Sequence, residues 1–286
     1  MSRPIRLIAI DIDGTLLDTK VRLSEENRAA LRRAHEAGVE IVLGTGRRHA
    51  FALPIAETLG FDLYLISSNG AVTRSISGEL FHQDLLPLAT ARKLSRYMEN
   101  YHDYMVLTFD REGMGAIVCE NHERLYGVMQ RWREKNAPFI EYVSPIERAL
   151  TTDPIQAMFC GPIAMMKCVV QELEAADFRQ DFTLLRTQYE YRDLCIVDLL
   201  NRGCSKGHAL ERWANYRGID RSEVMAIGDN YNDIEMLTFA GHPVIMENAS
   251  DELKQNGWMV TSHCDENGVA AAIDHAVERN AAITNA

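Results

Sequence analysis

Aliphatic runs alternate with helical patterns at the start of this chain, give way to a different pattern, and resume near its end. That interruption constrains the fold more than any other feature of the sequence. The run "LIAID" from Leu7 is apolar almost without a break, as a strand buried on both faces would be. Ser24 suits a helix N-cap, with Ala30, Leu31, Ala34 and Ala37 at helical spacing before Gly38. "EIVLGTG" from Glu40 is a second strand, followed by a helix toward Gly60 that Pro54 should start or kink. "LYLISSNG" from Leu63 is a third. Strand, helix, strand, helix, strand with short links predicts a parallel sheet with right-handed crossovers.

From Pro87 the pattern changes. The sequence predicts a helix over 88–101, strands at "YMVLTF" and "GAIVCE", and a helix through Trp132. A strand "IQAMFC", a helix over 164–176 and two strands, "FTLLR" and "LCIVDL", follow. Paired strands between helices predict an antiparallel sheet with helices on one face. After "NRGCSKG" the first pattern returns: a helix over 206–217, the strand "VMAIGD", a helix over 233–240, the strand "PVIM" and two helices around "WMVTS". The expected organisation is an α/β core domain over 1–86 and 201–286, interrupted by an α+β domain over 87–200. Hinges are expected near Leu86 and at Arg202-Gly203, and "NAAITNA" at the end should fray.

Ligands of open α/β sheets bind beyond the carboxyl ends of the strands. Asp11 and Asp13 follow the first strand, Thr45-Gly46-Arg47 the second, and Asp229, Asn230, Asn232 and Asp233 follow "VMAIG"; Lys206 opens the helix after the insertion. Two carboxylates two residues apart at the end of an apolar run need a positive partner. Oxygen donors with little His or Cys nearby suit a hard cation, Mg²⁺ foremost. Held by Asp11 and Asp229, that ion would leave positions for water and a phosphate oxygen. Lys206 and the backbone N–H groups around Thr45-Gly46 would neutralise the other phosphate oxygens. Asp11 can then act as a nucleophile forming an acyl phosphate, and Asp13 as the acid and later the base.

"DIDGT", "TGR", the isolated Lys206 and "GDNYND" resemble, in order, the four motifs of the haloacid dehalogenase-like hydrolase superfamily. "SSNGA" and "DENGVAAAI" resemble its Cof-type branch, the class IIB phosphatases, whose α+β cap falls where the insertion does. The resemblance implies a Rossmann-like core and a C2B-type cap. It also implies Asp11 as nucleophile and Mg²⁺ ligand, and Asp13 as general acid/base lending its backbone carbonyl to the metal. Ile12 (through its backbone), Thr45, Gly46, Lys206 and Asn232 would hold the phosphate. Asp229 would complete the metal site, and Asp233 would support Lys206 or bind the metal through water. The sequence departs from the family at Glu247 in "VIMENAS", where glycine is commoner.

Blander alternatives exist for each residue. Asp13-Gly14 alone would favour a turn, Asp229 and Asp233 a helix cap, and Lys206 a solvated charge. A phosphomutase would use the same residues, and a phosphate-accepting sensor would use an acidic cluster and a lysine without Asp13 or a cap. A net charge of −11 argues against nucleic-acid binding and requires local positive groups for an anionic substrate. Six scattered cysteines, no signal-peptide pattern and no apolar run near the roughly 20 residues of a membrane helix predict a reduced, cytoplasmic protein, with monomer and homodimer both left open by the sequence. The expected partner is a small phosphorylated metabolite, sugar phosphates foremost, with no nucleic acid and no membrane.

Overall fold

The structure, a computed structural model, describes residues 3–120 and 126–284. The chain divides into two compact units, Met1–Gln83 with Ser205–Ala286, and Asp84–Cys204.

The first unit begins with strand β1 (Leu7–Asp11), helix α1 (Glu25–Glu36), β2 (Glu40–Gly44), α2 (His49–Glu57) and β3 (Tyr64–Ser67). Two strands follow that the sequence pattern does not predict, β4 (Val72–Ser75) and β5 (Leu80–Gln83). They fold back antiparallel onto β3 and close that edge of the sheet. Ser24 caps α1 by accepting from the Asn27 N–H. The buried face of α1 is Asn27, Ala30, Leu31 and Ala34, whereas Ala37 is exposed at the C-cap. Asn27 earns its burial by donating to the Leu16 carbonyl and accepting from the Ala270 N–H. Pro54 neither starts nor ends α2. The helix opens at His49 and carries the proline inside it.

The second unit contains α3 (Leu88–Tyr97), β6 (Met105–Thr108), β7 (Ile117–Cys119), α4 (Tyr126–Asn136), β8 (Ile140–Tyr142), β9 (Gln156–Gly161), α5 (Ile163–Glu174), β10 (Phe182–Tyr189) and β11 (Leu194–Asn201). Its sheet runs β10-β11-β9-β6-β7-β8 and is antiparallel except for the pair β7 and β8. Helices α3 and α5 share one apolar core with a single sheet face, through Ala91, Leu94, Met166 and Val169 against Leu107, Phe159, Val197 and Leu199. The short β8 is a third strand, after β4 and β5, that the sequence pattern does not predict.

The first unit resumes with α6 (Lys206–Arg217), β12 (Val224–Gly228), α7 (Ile234–Phe239), β13 (His242–Met246), α8 (Asp251–Lys254), β14 (Met259–Thr261) and α9 (Gly268–Thr284). "WMVTS" thus contributes a strand between two helices. Residues 280–284, expected to fray, are helical, and Asn285 and Ala286 lie outside the described residues. Among the described residues eight strands order as β14-β13-β12-β1-β2-β3-β4-β5, parallel from β14 to β3.

Every residue of β1 is buried because the sheet is covered twice. Ile8 and Ile10 face a core shared with Leu31, Ala52 and Ile273 of α1, α2 and α9. Leu7 and Ala9 face a second core with Leu210, Trp213 and Met236 of α6 and α7. This is the α/β arrangement expected of the core. β1 lies between β2 and β12 in parallel register, Asp11 beside Gly44 and Ile10 beside Ile227, so the three strands end together. Crossovers leave β1 in opposite directions there, which opens a crevice at the strand ends. No helix among the described residues is long and apolar enough to cross a membrane.

Candidate active site

Four segments far apart in sequence meet at those ends within the first unit. Asp11 closes β1 and is buried. The chain then turns tightly, with the Leu16 and Leu17 N–H groups donating to the carbonyls of Asp11 and Ile12 at 3.1 and 2.9 Å. Gly14 makes that turn at φ +84°, and a Cβ on it would lie 2.5 Å from Asp229 Oδ2. Only a residue without a side chain lets the two acidic segments approach this closely.

Lys206 is the first residue of α6, directly after its N-cap Ser205, which accepts from the His208 N–H. His208 is part of that cap, its ring Nδ1 lying 2.9 Å from the same hydroxyl. The lysine is fully buried, which excludes a solvated surface charge. Its ammonium donates to Asp11 Oδ1 at 2.6 Å and to Asp233 Oδ1 at 2.7 Å. Asp233 is itself fully buried and accepts from the N–H groups of Asp229 and Asn230 through Oδ2, both at 3.1 Å. It therefore holds the β12–α7 turn and the lysine together. Asn230 supplies the cap of that turn.

Asp229 receives hydrogen bonds from Thr15 Oγ1 at 2.9 Å and from Asn248 Nδ2 at 3.3 Å. Asn248 also donates to the Gly14 carbonyl at 2.8 Å and accepts from the Cys264 N–H at 3.0 Å, tying three loops to one carboxamide. Asp13 points to another partner. Arg47 grips it with two hydrogen bonds, Nε to Oδ2 at 2.7 Å and Nη2 to Oδ1. Thr45 is buried and its hydroxyl accepts from the Arg47 N–H at 3.1 Å. Asn232 is buried and donates to Asn69 Oδ1 at 2.9 Å.

Carboxylate oxygens of Asp11, Asp229 and Asp233 lie within 4.8 Å of one another. With Asp13, four carboxylates face two cations, Lys206 and Arg47. Burial pushes Asp11 up to about 7 against the pull of Lys206, with Asp233 and Asp13 adding to the rise. Burial also raises Asp229 well above the usual carboxylate range, and the charges of Asp11 and Asp233 add to it. For Lys206 burial opposes the charge, yet Asp11 and Asp233 outweigh it and raise the ammonium pKa. The lysine thus stays charged between two acids, and the raised Asp11 and Asp229 carboxyls mean that the fully ionised cluster would carry a surplus of negative charge. Buried oxygen donors carrying such a surplus fit a hard divalent cation such as Mg²⁺.

The structure therefore gathers Asp11, Lys206, Asp229 and Asp233 into one cluster, and sets Asp13 with Arg47 and Asn232 with Asn69. From the sequence alone Thr15 has a part only in the turn after β1, Arg47 lies inside its motif without a role, and Asn248 carries no local signal. Asn69 stands in "SSNGA" but was assigned nothing.

The family model for haloacid dehalogenase-like hydrolases matches residues 8–273. Phosphatase YwpJ of Bacillus subtilis is 34% identical over 95% of this chain and 99% of its own length. Pyridoxal phosphate phosphatase YbhA of Escherichia coli is 29% identical over 94% of this chain and 97% of its own. The solved structure of a haloacid dehalogenase-like hydrolase from B. subtilis, 30% identical, superimposes with a TM-score of 0.79 over 95% of this chain and 99% of that one.

Proposed function

The chain belongs to the haloacid dehalogenase-like hydrolases, and from that premise we propose that it is a Mg²⁺-dependent phosphatase of small phosphorylated metabolites. One observation carries the reading. A buried carboxylate, Asp11, ends the central strand within hydrogen-bond reach of a buried lysine, in a cluster with more acid than base.

Asp11 is the attacking group. One of its oxygens forms a bond to phosphorus as the bond to the leaving oxygen breaks, giving an aspartyl phosphate. Asp13 gives its proton to the leaving oxygen, then takes one from the water that attacks the phosphoryl group; inorganic phosphate departs and Asp11 is restored. Arg47 orients Asp13 on the substrate side of the turn. Lys206 and Asn232, with the backbone N–H groups of Ile12, Thr45 and Gly46, bind the phosphoryl oxygens. Asp233 keeps Lys206 directed at Asp11. Asp11, Asp229 and the Asp13 carbonyl would hold Mg²⁺, which when bound lowers the charge on the phosphoryl oxygens. The second unit, taken over 87–200, selects the leaving group.

The E. coli relative is named for pyridoxal phosphate, so the substrate search spans that ester and flavin mononucleotide as well as sugar phosphates and nucleotides. Purified protein with Mg²⁺ should release inorganic phosphate from at least one of them with steady turnover. Asp11→Asn should stay folded and lose that turnover. An Asp11→Asn protein that hydrolyses near the parent rate would refute the assignment.

A further inference from the structure

The turn after β3 has no task in the chemistry above, yet it is built at a conformational cost. Ser68 and Asn69 both adopt left-handed backbone, φ +49° and +53°, and Gly70 follows at +105°. Consecutive non-glycine residues in this region are uncommon and persist where surrounding contacts require them. Here those contacts converge on the phosphate loop. The Ser68 N–H donates to the Arg47 carbonyl at 2.8 Å and the Asn69 N–H to the Thr45 carbonyl at 2.9 Å, so the turn clasps both sides of Gly46. Asn69 is fully buried, and a Cβ on Gly46 would lie 3.2 Å from its Oδ1. The same oxygen accepts from Asn232 Nδ2 at 2.9 Å. A carboxamide nitrogen has two N–H donors, and committing one of them to Asn69 fixes the plane of the Asn232 amide.

We propose that Asn69 is a positioning residue for phosphate binding: its carboxamide oxygen holds the Asn232 amide in its binding orientation, and its left-handed backbone locks that side chain to the Thr45–Gly46 loop. Asparagine suits the place. It tolerates left-handed backbone better than other residues with a side chain, and it offers an acceptor without adding a negative charge beside a phosphate. The proposal rests on the assignment of Asn232 as a phosphate ligand.

The test uses the full chain with Mg²⁺ and inorganic phosphate as the probe, by calorimetry and as an inhibitor of phosphomonoester hydrolysis. Asn69→Gly keeps the backbone conformation and deletes the carboxamide. It should weaken phosphate binding and raise KM about fivefold, as loss of one such hydrogen bond does, while kcat changes by less than about twofold. In an Asn232→Ala background the same change should have no further effect on phosphate affinity, because the partner is already gone. Additive losses, or normal phosphate affinity in Asn69→Gly while Asn232→Ala is impaired, would overturn the proposal alone. Normal phosphate affinity in Asn232→Ala would overturn the ligand assignment beneath it, and the proposal with it. Should Asn69→Gly not fold, Asn232→Ala against the double variant decides: equal affinity supports the coupling, and a further loss sinks it.

Discussion

Where a side chain on Gly14 would go, Asp229 already stands, 2.5 Å from the ideal Cβ position. The backbone there is also left-handed. Gly14→Ala should therefore lower stability by about 1–3 kcal/mol and weaken Mg²⁺ binding, because the Asp229 carboxylate must leave its present place. Urea unfolding and a Mg²⁺ titration measure the two effects, and an unchanged Mg²⁺ affinity would mean that Asp229 does not need its present place. Lys206 poses the opposite problem, a cation that two buried acids require. Lys206→Met should destabilise the metal-free protein by about 3–5 kcal/mol, the cost of leaving buried charge unpaired; a denaturation midpoint like the parent's would contradict it. At this scale the sequence was legible where polar residues follow a strand end or open a helix: it put Asp11, Lys206 and Asp229 at one rim, where the structure gathers them. It was silent where a residue acts through a partner across the fold. Thr15 meets Asp229 across 214 positions, and Asn69 meets Asn232 across 163.

Between β1 and α1, Ile12, Leu16 and Leu17 are buried in the core, and the exposed stretch that follows is fastened by acceptors. Asp18 accepts from the N–H groups of Lys20 and Arg22 and from Arg22 Nε. Partial burial opposes its ionisation, but these bonds outweigh it and hold its pKa below the usual aspartate value. Asp265 is lowered too, first by the Thr19 N–H and then, against slight burial, by the Thr19 hydroxyl. A carboxylate depressed in the folded state stabilises it above the unfolded pKa of about 3.9, and that stabilisation is lost as pH falls through the folded value. Amide exchange at Thr19 and Arg22 should therefore show lower protection below about pH 4 than at pH 6. In Asp265→Asn the Thr19 protection should already be reduced at pH 6. Equal protection at both pH values in the parent would show that neither carboxylate fastens the loop. Elements were legible where the pattern was strong: the near-continuous apolar runs of the buried β1 and β2, and the helical spacing of α1 behind its serine cap. The strands missed were short: β4 and β5 at a sheet edge, with β5 only half covered, and β8 of three residues. Such strands carry little alternation, and pairing with a neighbour decides them. Pro54 does not start α2 but lies inside it, within a helix of nine residues.

For the whole molecule the consequence is that one unit folds against its own charge. The chain carries −11, and its first unit draws Asp11, Asp229 and Asp233 to within 4.8 Å of each other from β1 and the β12–α7 turn, with one lysine between two of them. The apolar cores on both faces of the sheet hold these groups in place, so the electrostatic cost is carried by packing elsewhere. A cation that binds the folded cluster and not the unfolded chain must then add stability by mass action, about 2.7 kcal/mol at a hundred times its Kd. Asp229→Asn separates this from general salt effects. Removing one desolvated negative charge should leave the metal-free protein as stable as the parent or more so, since burial and two neighbouring carboxylates oppose that charge. The same change should abolish most of the increment that Mg²⁺ gives the parent. Thermal unfolding of both proteins in chelator and in Mg²⁺, at one ionic strength, reads the four midpoints. If Asp229→Asn gained as much from Mg²⁺ as the parent does, the cation would be bound elsewhere, and the surplus charge at the strand ends would need another explanation.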